Sequence, residues 1–290
     1  MTARSEPGVA IVEEENMSEL TGKTLLISGG SRGIGLAIAQ RAARDGAHVA
    51  LLAKTAKPHP TLPGTVYTAA EAIEAAGGKA LAMVGDVRSD ADVQRVVERT
   101  VERFGGIDVV VNNASAIDLS GTESVAMKRY DLMQDINCRG TFLLSKTAIP
   151  HLRGAANPHI LTLSPPLNLR PHWAGNHLAY TIAKYGMSLC TLGLAAEFPD
   201  AGIGANSLWP RTTIATAAIR AVRGEGPTHR SRSPEIMSDA AHLILTRSSR
   251  SCTGNFFIDE DVLAEAGVKD FSSYRNGRDD LDLEPDLFLD

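Results

Sequence analysis

Short apolar runs alternate with segments of helical period along this chain, and that alternation limits its fold more than any other feature. Thr24–Ser28, His48–Ala53, Ala80–Val84, Asp108–Asn112, His159–Leu163, Ala205–Leu208 and Asn255–Ile258 each read as short buried strands. Between them apolar residues recur at helical spacing, as Ile34, Ala37, Ile38 and Ala42 do before Gly46, a plausible helix C-cap. Further helices are expected over about Thr68–Ala76, Asp90–Phe104, a long stretch ending near Arg153, and Leu178–Phe198. Strands joined through helices in one sheet run parallel, with right-handed crossovers. The expected fold is therefore α/β: one doubly wound parallel sheet of about seven strands, with helices on both faces. Ligands of such sheets sit beyond the carboxyl ends of the strands, so chemistry is sought just after each strand.

Composition supports one sizeable core, with 43% of the 290 residues apolar and a mean hydropathy of −0.06. No apolar run approaches the roughly 18 residues of a membrane span. Cys138, Cys190 and Cys252 are odd in number and lack metal-ligand spacing, which argues against a disulfide framework or a zinc module. A reducing, cytoplasmic setting is the expectation. The net charge of −5 comes from the ends, because residues 11–19 hold four acids and residues 279–290 hold six. Without those ten, 29 basic residues face 24 acidic ones. Residues 1–19 read as a disordered leader without a signal-peptide core, Met17 being an alternative start. Residues 20–270 read as the folded domain and 271–290 as an acidic C-terminal extension, with both ends solubilising and docking of the last segment onto the body or a neighbouring subunit left open.

Two stretches break the alternation. Lys54–Val66 carries Pro58, Pro60 and Pro63 and reads as an extended loop. Arg211–Pro234 gathers Arg211, Arg220, Arg223, His229, Arg230 and Arg232 around a short helix. This second stretch is too short and too poor in aromatics for nucleic acid. It reads as a solvated lid, or as an attractor for an anionic substrate such as an acyl-CoA.

The first strand runs into Gly29-Gly30-Ser31-Arg32-Gly33-Ile34-Gly35. Glycines at 29, 33 and 35 allow a sharp turn and let backbone N–H groups approach a pyrophosphate at the next helix N-terminus. At the end of the second strand an acid would bind the adenosine ribose and repel a 2′-phosphate. Ala53-Lys54 stands there instead, and with Arg32 it favours NADP over NAD. Asp86-Val87 follows the third strand, where a carboxylate can accept from an adenine amino group. Asn112-Asn113-Ala114-Ser115 follows the fourth, where small side chains leave room for a cofactor. Tyr180 and Lys184 lie one helical turn apart, so the ammonium is expected to lower the phenol pKa and fit Tyr180 for proton exchange.

These residues, with Asn137, Pro210 and Thr253-Gly254, give a chain that resembles the short-chain dehydrogenase/reductase family from about Thr21 to Asp259. Within it, Ala53–Pro60, Ser164–Leu169, Ala179–Met187 and the ending Pro285–Asp290 resemble the hydroxysteroid dehydrogenase-like subgroup, whose larger members add a sterol-carrier domain. The resemblance implies a Rossmann-type fold, a nicotinamide cofactor, a small carbonyl or alcohol substrate, and a homodimer or homotetramer. It also implies Tyr180 as general acid/base, and Lys184 as holder of the nicotinamide ribose. Asn137 would support Lys184 and a proton-relaying water, and Thr213 after Pro210 would meet the carboxamide. The family's carbonyl-polarising Ser aligns with Pro165, leaving Ser164 or Asn168 as substitutes. The reaction expected is hydroxyl–carbonyl interconversion on a small or lipid-like substrate. Two readings stay open beside it: a catalytically weak dinucleotide-binding sensor or scaffold, and an enoyl-type C=C reductase.

Overall fold

Leu25 and Ile27 of the first strand face one side of the sheet and Leu26 the other, and all three are wholly buried. That is what a strand covered on both faces requires. The computed structural model describes residues 20–58, 63–224, 226–277 and 282–290; the leader, the tip of the proline loop and the first acids of the tail lie outside these. The elements are β1 (Thr24–Ser28), α1 (Gly33–Arg44), β2 (His48–Ala53), α2 (Val66–Ala75), β3 (Lys79–Val84), α3 (Asp90–Phe104) and β4 (Val109–Asn112). There follow α4 (Met127–Met133), α5 (Gly140–Leu152), β5 (His159–Thr162), α6 (Pro171–Asn176), α7 (Leu178–Glu197) and β6 (Gly204–Trp209). The chain continues with α8 (Ala217–Arg223), β7 (Ser231–Arg232), α9 (Glu235–Leu245), β8 (Phe256–Ile258), α10 (Asp259–Glu265) and β9 (Arg275–Asn276).

Seven strands form one parallel sheet in the order β3-β2-β1-β4-β5-β6-β8. The order reverses between β1 and β4, where Ser28 pairs with Asn112, and this is the expected place for a ligand. One face is covered by α1, α2, α9 and α10, the other by α3, α5 and part of α7.

Three features depart from the sequence expectations. The long helix between β4 and β5 is not uniform: Gln134–Arg139 form a π-helical turn between α4 and α5, and Asn137 lies inside it. In the cationic stretch after β6, Arg211 is paired to Asp261 and Arg232 to Glu260. The described part of the acidic extension is docked rather than solubilising. Glu284 and Asp286 run antiparallel to Arg211–Thr213, the Thr213 amide donating to the Glu284 carbonyl at 2.9 Å and the Asp286 amide to the Arg211 carbonyl at 3.1 Å. Phe288, only 1% exposed, completes a cluster with Met133, Tyr180 and Trp209. The Leu287-Phe288-Leu289 run within this acidic segment supplies the apolar side chains that docking uses.

Candidate functional site

The turn after β1 opens a cleft of about 370 Å³ lined by Gly29, Ser31, Arg32, Gly33, Ile34, Lys54, Asp86, Val87, Asn113 and Ala114. Two glycines make it possible. A Cβ on Gly35 would lie 2.5 Å from Asn113 Nδ2, and one on Gly29 would lie 2.8 Å from Ala114 Cα. Asn113 in turn donates to the Ser28 and Gly29 carbonyls at 3.0 and 2.9 Å, tying the turn after β4 to the turn after β1. Helix α1 begins there with no side-chain cap and no acid in its first turn, so its positive end is left for an anion.

At the rim, Lys54 is ion-paired to Asp86 at 3.0 Å, and Arg88 takes the same carboxylate at 2.7 Å. The Arg88 bonds, with Lys54 adding to them, hold the Asp86 carboxyl well below the usual carboxylate range. Asp86 is thus committed to two cations within its own chain. Arg32 donates to the Pro63 and Gly64 carbonyls and so ties the proline loop to the glycine turn.

Ile34, Asn113, Ser115, Thr216 and Ala218 also line a second, inner cavity of about 160 Å³, so the two spaces adjoin. Tyr180, Lys184, Trp209, Pro210, Thr213, Asp286 and Leu287 belong to this inner cavity. Helix α7 carries the first two on one face. It packs closely on the π-helical turn because residue 186 is glycine, whose Cβ would fall 2.6 Å from Cys138 Sγ. Lys184 Nζ donates to the Leu163 carbonyl at 2.7 Å and lies 5.0 Å from the Trp209 ring centre. Burial lowers its ammonium to about 7. Burial, and then the Asp286 charge, push the Tyr180 phenol above its ordinary value. The expected lowering of that phenol by Lys184 is therefore corrected: the ammonium is turned to the Leu163 carbonyl and burial disfavours its charge.

Two other expected roles meet a different geometry. Asn137 is wholly buried, and both ends of its side chain are used on Ala116, Oδ1 accepting the amide at 2.7 Å and Nδ2 donating to the carbonyl at 3.0 Å. It pins the loop after β4 rather than bonding Lys184. Ser164 is also wholly buried, its hydroxyl 2.8 Å from that of Ser207, and it does not line the inner cavity. As a carbonyl polariser Ser164 is corrected to a strand-end hydroxyl satisfied inside the sheet. Asn168 instead donates to the Phe288 carbonyl at 3.2 Å and to Asp290 Oδ2 at 2.8 Å, holding the tail. Trp173 and Trp209 flank Phe288, while Thr213 shares a hydrogen bond with Ser231.

Sequence reasoning did not place Asp286, Leu287, Ile117, Leu119 or Thr216 in the site, all of which line the inner cavity beside Ser115. It also passed over Asp259 at the start of α10, whose Oδ1 accepts the amides of Arg211 and Glu260 at 2.8 Å while Oδ2 is buried without a partner. Burial pushes this carboxyl up to about 7. The folded chain then holds a proton that the unfolded chain releases near pH 4, so stability falls as pH rises from about 4 to 7. The slope from this one group is at most about 1.4 kcal/mol per pH unit. Asp259→Asn is expected to flatten the urea-midpoint profile between pH 5 and 7; an unchanged profile would assign the slope elsewhere.

Comparison with known proteins matches residues 23–225 to the family described as short chain dehydrogenase. Hydroxysteroid dehydrogenase-like protein 2 of Danio rerio is 56% identical over 276 residues, covering 95% of this chain and 66% of that protein. The chain thus spans just under two thirds of the length of that curated relative. Among solved structures, a putative dehydrogenase from Xanthomonas campestris aligns with a TM-score of 0.91 at 55% identity, covering 94% of this chain and 100% of the other. The NADH-dependent reductase A1-R' complexed with NAD aligns with a TM-score of 0.67 at 27% identity, covering 83% and 96%.

Proposed function

The chain belongs to the short-chain dehydrogenase/reductase family, and from that premise we propose that it is an NADP(H)-dependent oxidoreductase interconverting a hydroxyl and a carbonyl. The carrying observation is the buried Tyr180, protonated at neutral pH, in a cavity that adjoins a glycine-lined cleft. The cleft suits a dinucleotide, since its glycines admit a close backbone approach and the bare N-terminus of α1 suits a pyrophosphate. When bound, the nicotinamide supplies or accepts the hydride. Tyr180 gives its phenolic proton to the carbonyl oxygen in the reductive direction and recovers it in the other. Lys184, whose amine is held by the Leu163 carbonyl and the Trp209 ring, lines the same cavity as that phenol. Ile117, Leu119 and Trp209 make the cavity mainly apolar, which favours a lipid-like substrate. An acyl-CoA draws less support, because Arg211 and Arg232 are already paired.

The choice of NADP rests on Lys54 and Arg32, which line the cleft with no acid at the end of β2. Lys54→Asp is expected to weaken NADPH at least about tenfold more than NADH, the loss of one charge-assisted contact plus new repulsion. Equal weakening of both, measured by fluorescence titration, would remove the 2′-phosphate from the reading. Assembly as a homodimer or homotetramer belongs to the same reading, supported by exposed Phe142, Leu189 and Leu192 on α5 and α7, and light scattering measures it. A cytoplasmic setting suits the three free thiols, Cys138, Cys190 and Cys252, and fractionation would test it.

The test of the reaction is NADPH absorbance across acyl-CoA, steroid and retinoid carbonyls, with deuterium at the nicotinamide C4. Deuterium on the carbinol carbon supports the reading, and deuterium on the carbon β to a carbonyl would replace it with C=C reduction. One observation favours a further alternative: Pro165 stands where the family has its polarising Ser, and Ser164 faces Ser207. Tight NADPH binding without turnover on any carbonyl would favour a dinucleotide sensor or scaffold.

A further inference from the structure

Cys138 and Cys190 have no part in the reaction proposed above, yet the fold brings these two thiols together from distant parts of the sequence. Cys138 lies in the π-helical turn Gln134–Arg139, and Cys190 lies on α7. The two elements approach closely. A Cβ on Gly186 of α7 would fall 2.6 Å from Cys138 Sγ, 2.9 Å from its Cβ and 3.9 Å from its Cα. Cys190 stands one helical turn beyond Gly186, on the same face of α7. Side chains on a helix tilt toward its N-terminus, so the Cys190 sulfur leans over the turn that holds Gly186, where Cys138 Sγ sits. There the Cys190 thiol donates a hydrogen bond to the Cys138 sulfur, which lowers the Cys138 thiol and raises that of Cys190. Both thiols are free and half-buried. Cys252 differs: it is buried against Asn206, and burial pushes its thiol up.

A thiolate beside a thiol that can resolve it is the arrangement an oxidisable pair requires. We propose that Cys138 and Cys190 form a modification site, at which hydrogen peroxide joins the π-helical turn to α7 through a disulfide within one chain. The Cys138 thiolate attacks one peroxide oxygen. An S–O bond forms, the O–O bond breaks, and the departing hydroxide takes the proton that Cys138 released, giving water. The Cys190 sulfur then attacks the sulfenic sulfur of Cys138. The S–S bond forms, the S–O bond breaks, and hydroxide leaves with the Cys190 proton as a second water. Each sulfur gives one electron, and peroxide takes both. Asn137, next to Cys138, pins Ala116 in the loop after β4, and α7 carries Tyr180 and Lys184. The crosslink therefore ties the helix of Tyr180 to the turn that anchors that loop. This chemistry needs no cofactor and stands apart from the oxidoreductase reading.

The experiment reduces the full chain with dithiothreitol, removes the reductant and adds hydrogen peroxide. Alkylation after unfolding then counts the thiols. The count is expected to fall from three to one, with Cys138 and Cys190 linked in peptide mass spectrometry. The band on a non-reducing denaturing gel stays monomeric, and dithiothreitol restores all three thiols. Oxidation of Cys138 should outpace that of Cys252 by about tenfold or more. In Cys190→Ser the reaction is expected to stop at a sulfenic acid on Cys138, trapped by dimedone. Hydrogen exchange of residues 134–139 should slow in the linked chain, and unslowed exchange overturns the clamp on α7. The site itself is overturned by three thiols persisting under peroxide that oxidises free cysteine, by linkage between two chains, or by Cys252 reacting as fast as Cys138. These readouts use the wild-type chain, so they decide even where the Cys190→Ser chain does not fold.

Discussion

Tyr180→Phe is expected to lower carbonyl turnover by about 10²–10⁴-fold, the usual range for a lost general acid. The ring itself stays useful after the change. Tyr180 is 5% exposed and packs against Phe288 at 6.3 Å, so phenylalanine keeps the packing and removes only the hydroxyl. Affinity for NADPH should therefore stay within a few-fold of wild type, and the melting temperature within a few degrees. Turnover and affinity measured on one preparation separate a proton-transfer role from a folding defect. Unchanged turnover would remove Tyr180 from the chemistry. The phenol is pushed above its ordinary value by burial, so it remains protonated through the neutral range.

Phe288→Ala is the second large effect. Truncating a buried phenylalanine costs about 3–5 kcal/mol when the surroundings cannot collapse. Here the surroundings need not keep the cavity, because the segment that carries Phe288 can leave. Release also relieves the left-handed backbone at this position, worth roughly 1–2 kcal/mol. The expected result is undocking of residues 284–290: faster proteolysis and hydrogen exchange of that segment, and a KM raised about tenfold or more as a substrate wall is lost. The body of the sheet should melt nearly as before. A tail as protected as in wild type, with a lowered global melting temperature, would show that Phe288 belongs to the main core. Phe288→Leu keeps most of the apolar volume and should behave between the two.

Much of the fold was legible because its signals are periodic. The two-residue period of β1 and β2 sorts Leu25, Leu51 and Ala53 from Leu26 and Leu52, and the structure places them on opposite faces as the pattern demands. Helix α3 spans the expected Asp90–Phe104, with Ser89 capping its start and Gly105 its end. The position of the glycine turn after β1 and the shared helix of Tyr180 and Lys184 were legible for the same reason, since spacing alone sets them. Direction was harder to read. Spacing says that Lys184 is near Tyr180, but not that its amine turns to the Leu163 carbonyl. Ser164 looked available after β5, yet side chains alternate faces there and its hydroxyl meets Ser207. The π-helical turn around Asn137 left no trace in composition, because one extra residue per turn does not change which residue types a helix accepts. In the tail, Leu287, Phe288 and Leu289 were legible as part of the ending Pro285–Asp290, but composition could not say whether they dock.

The hold on Asp290 has a mechanical reach. Its carboxylate takes Arg170 at 3.1 Å and Asn168 at 2.8 Å, in the loop that precedes α6 and α7. Anything tethered to this residue, an affinity tag or a fused domain, begins four residues from Asp286 and pulls on the same short span. Load on that span reaches the reactive phenol through Phe288, which stacks on it.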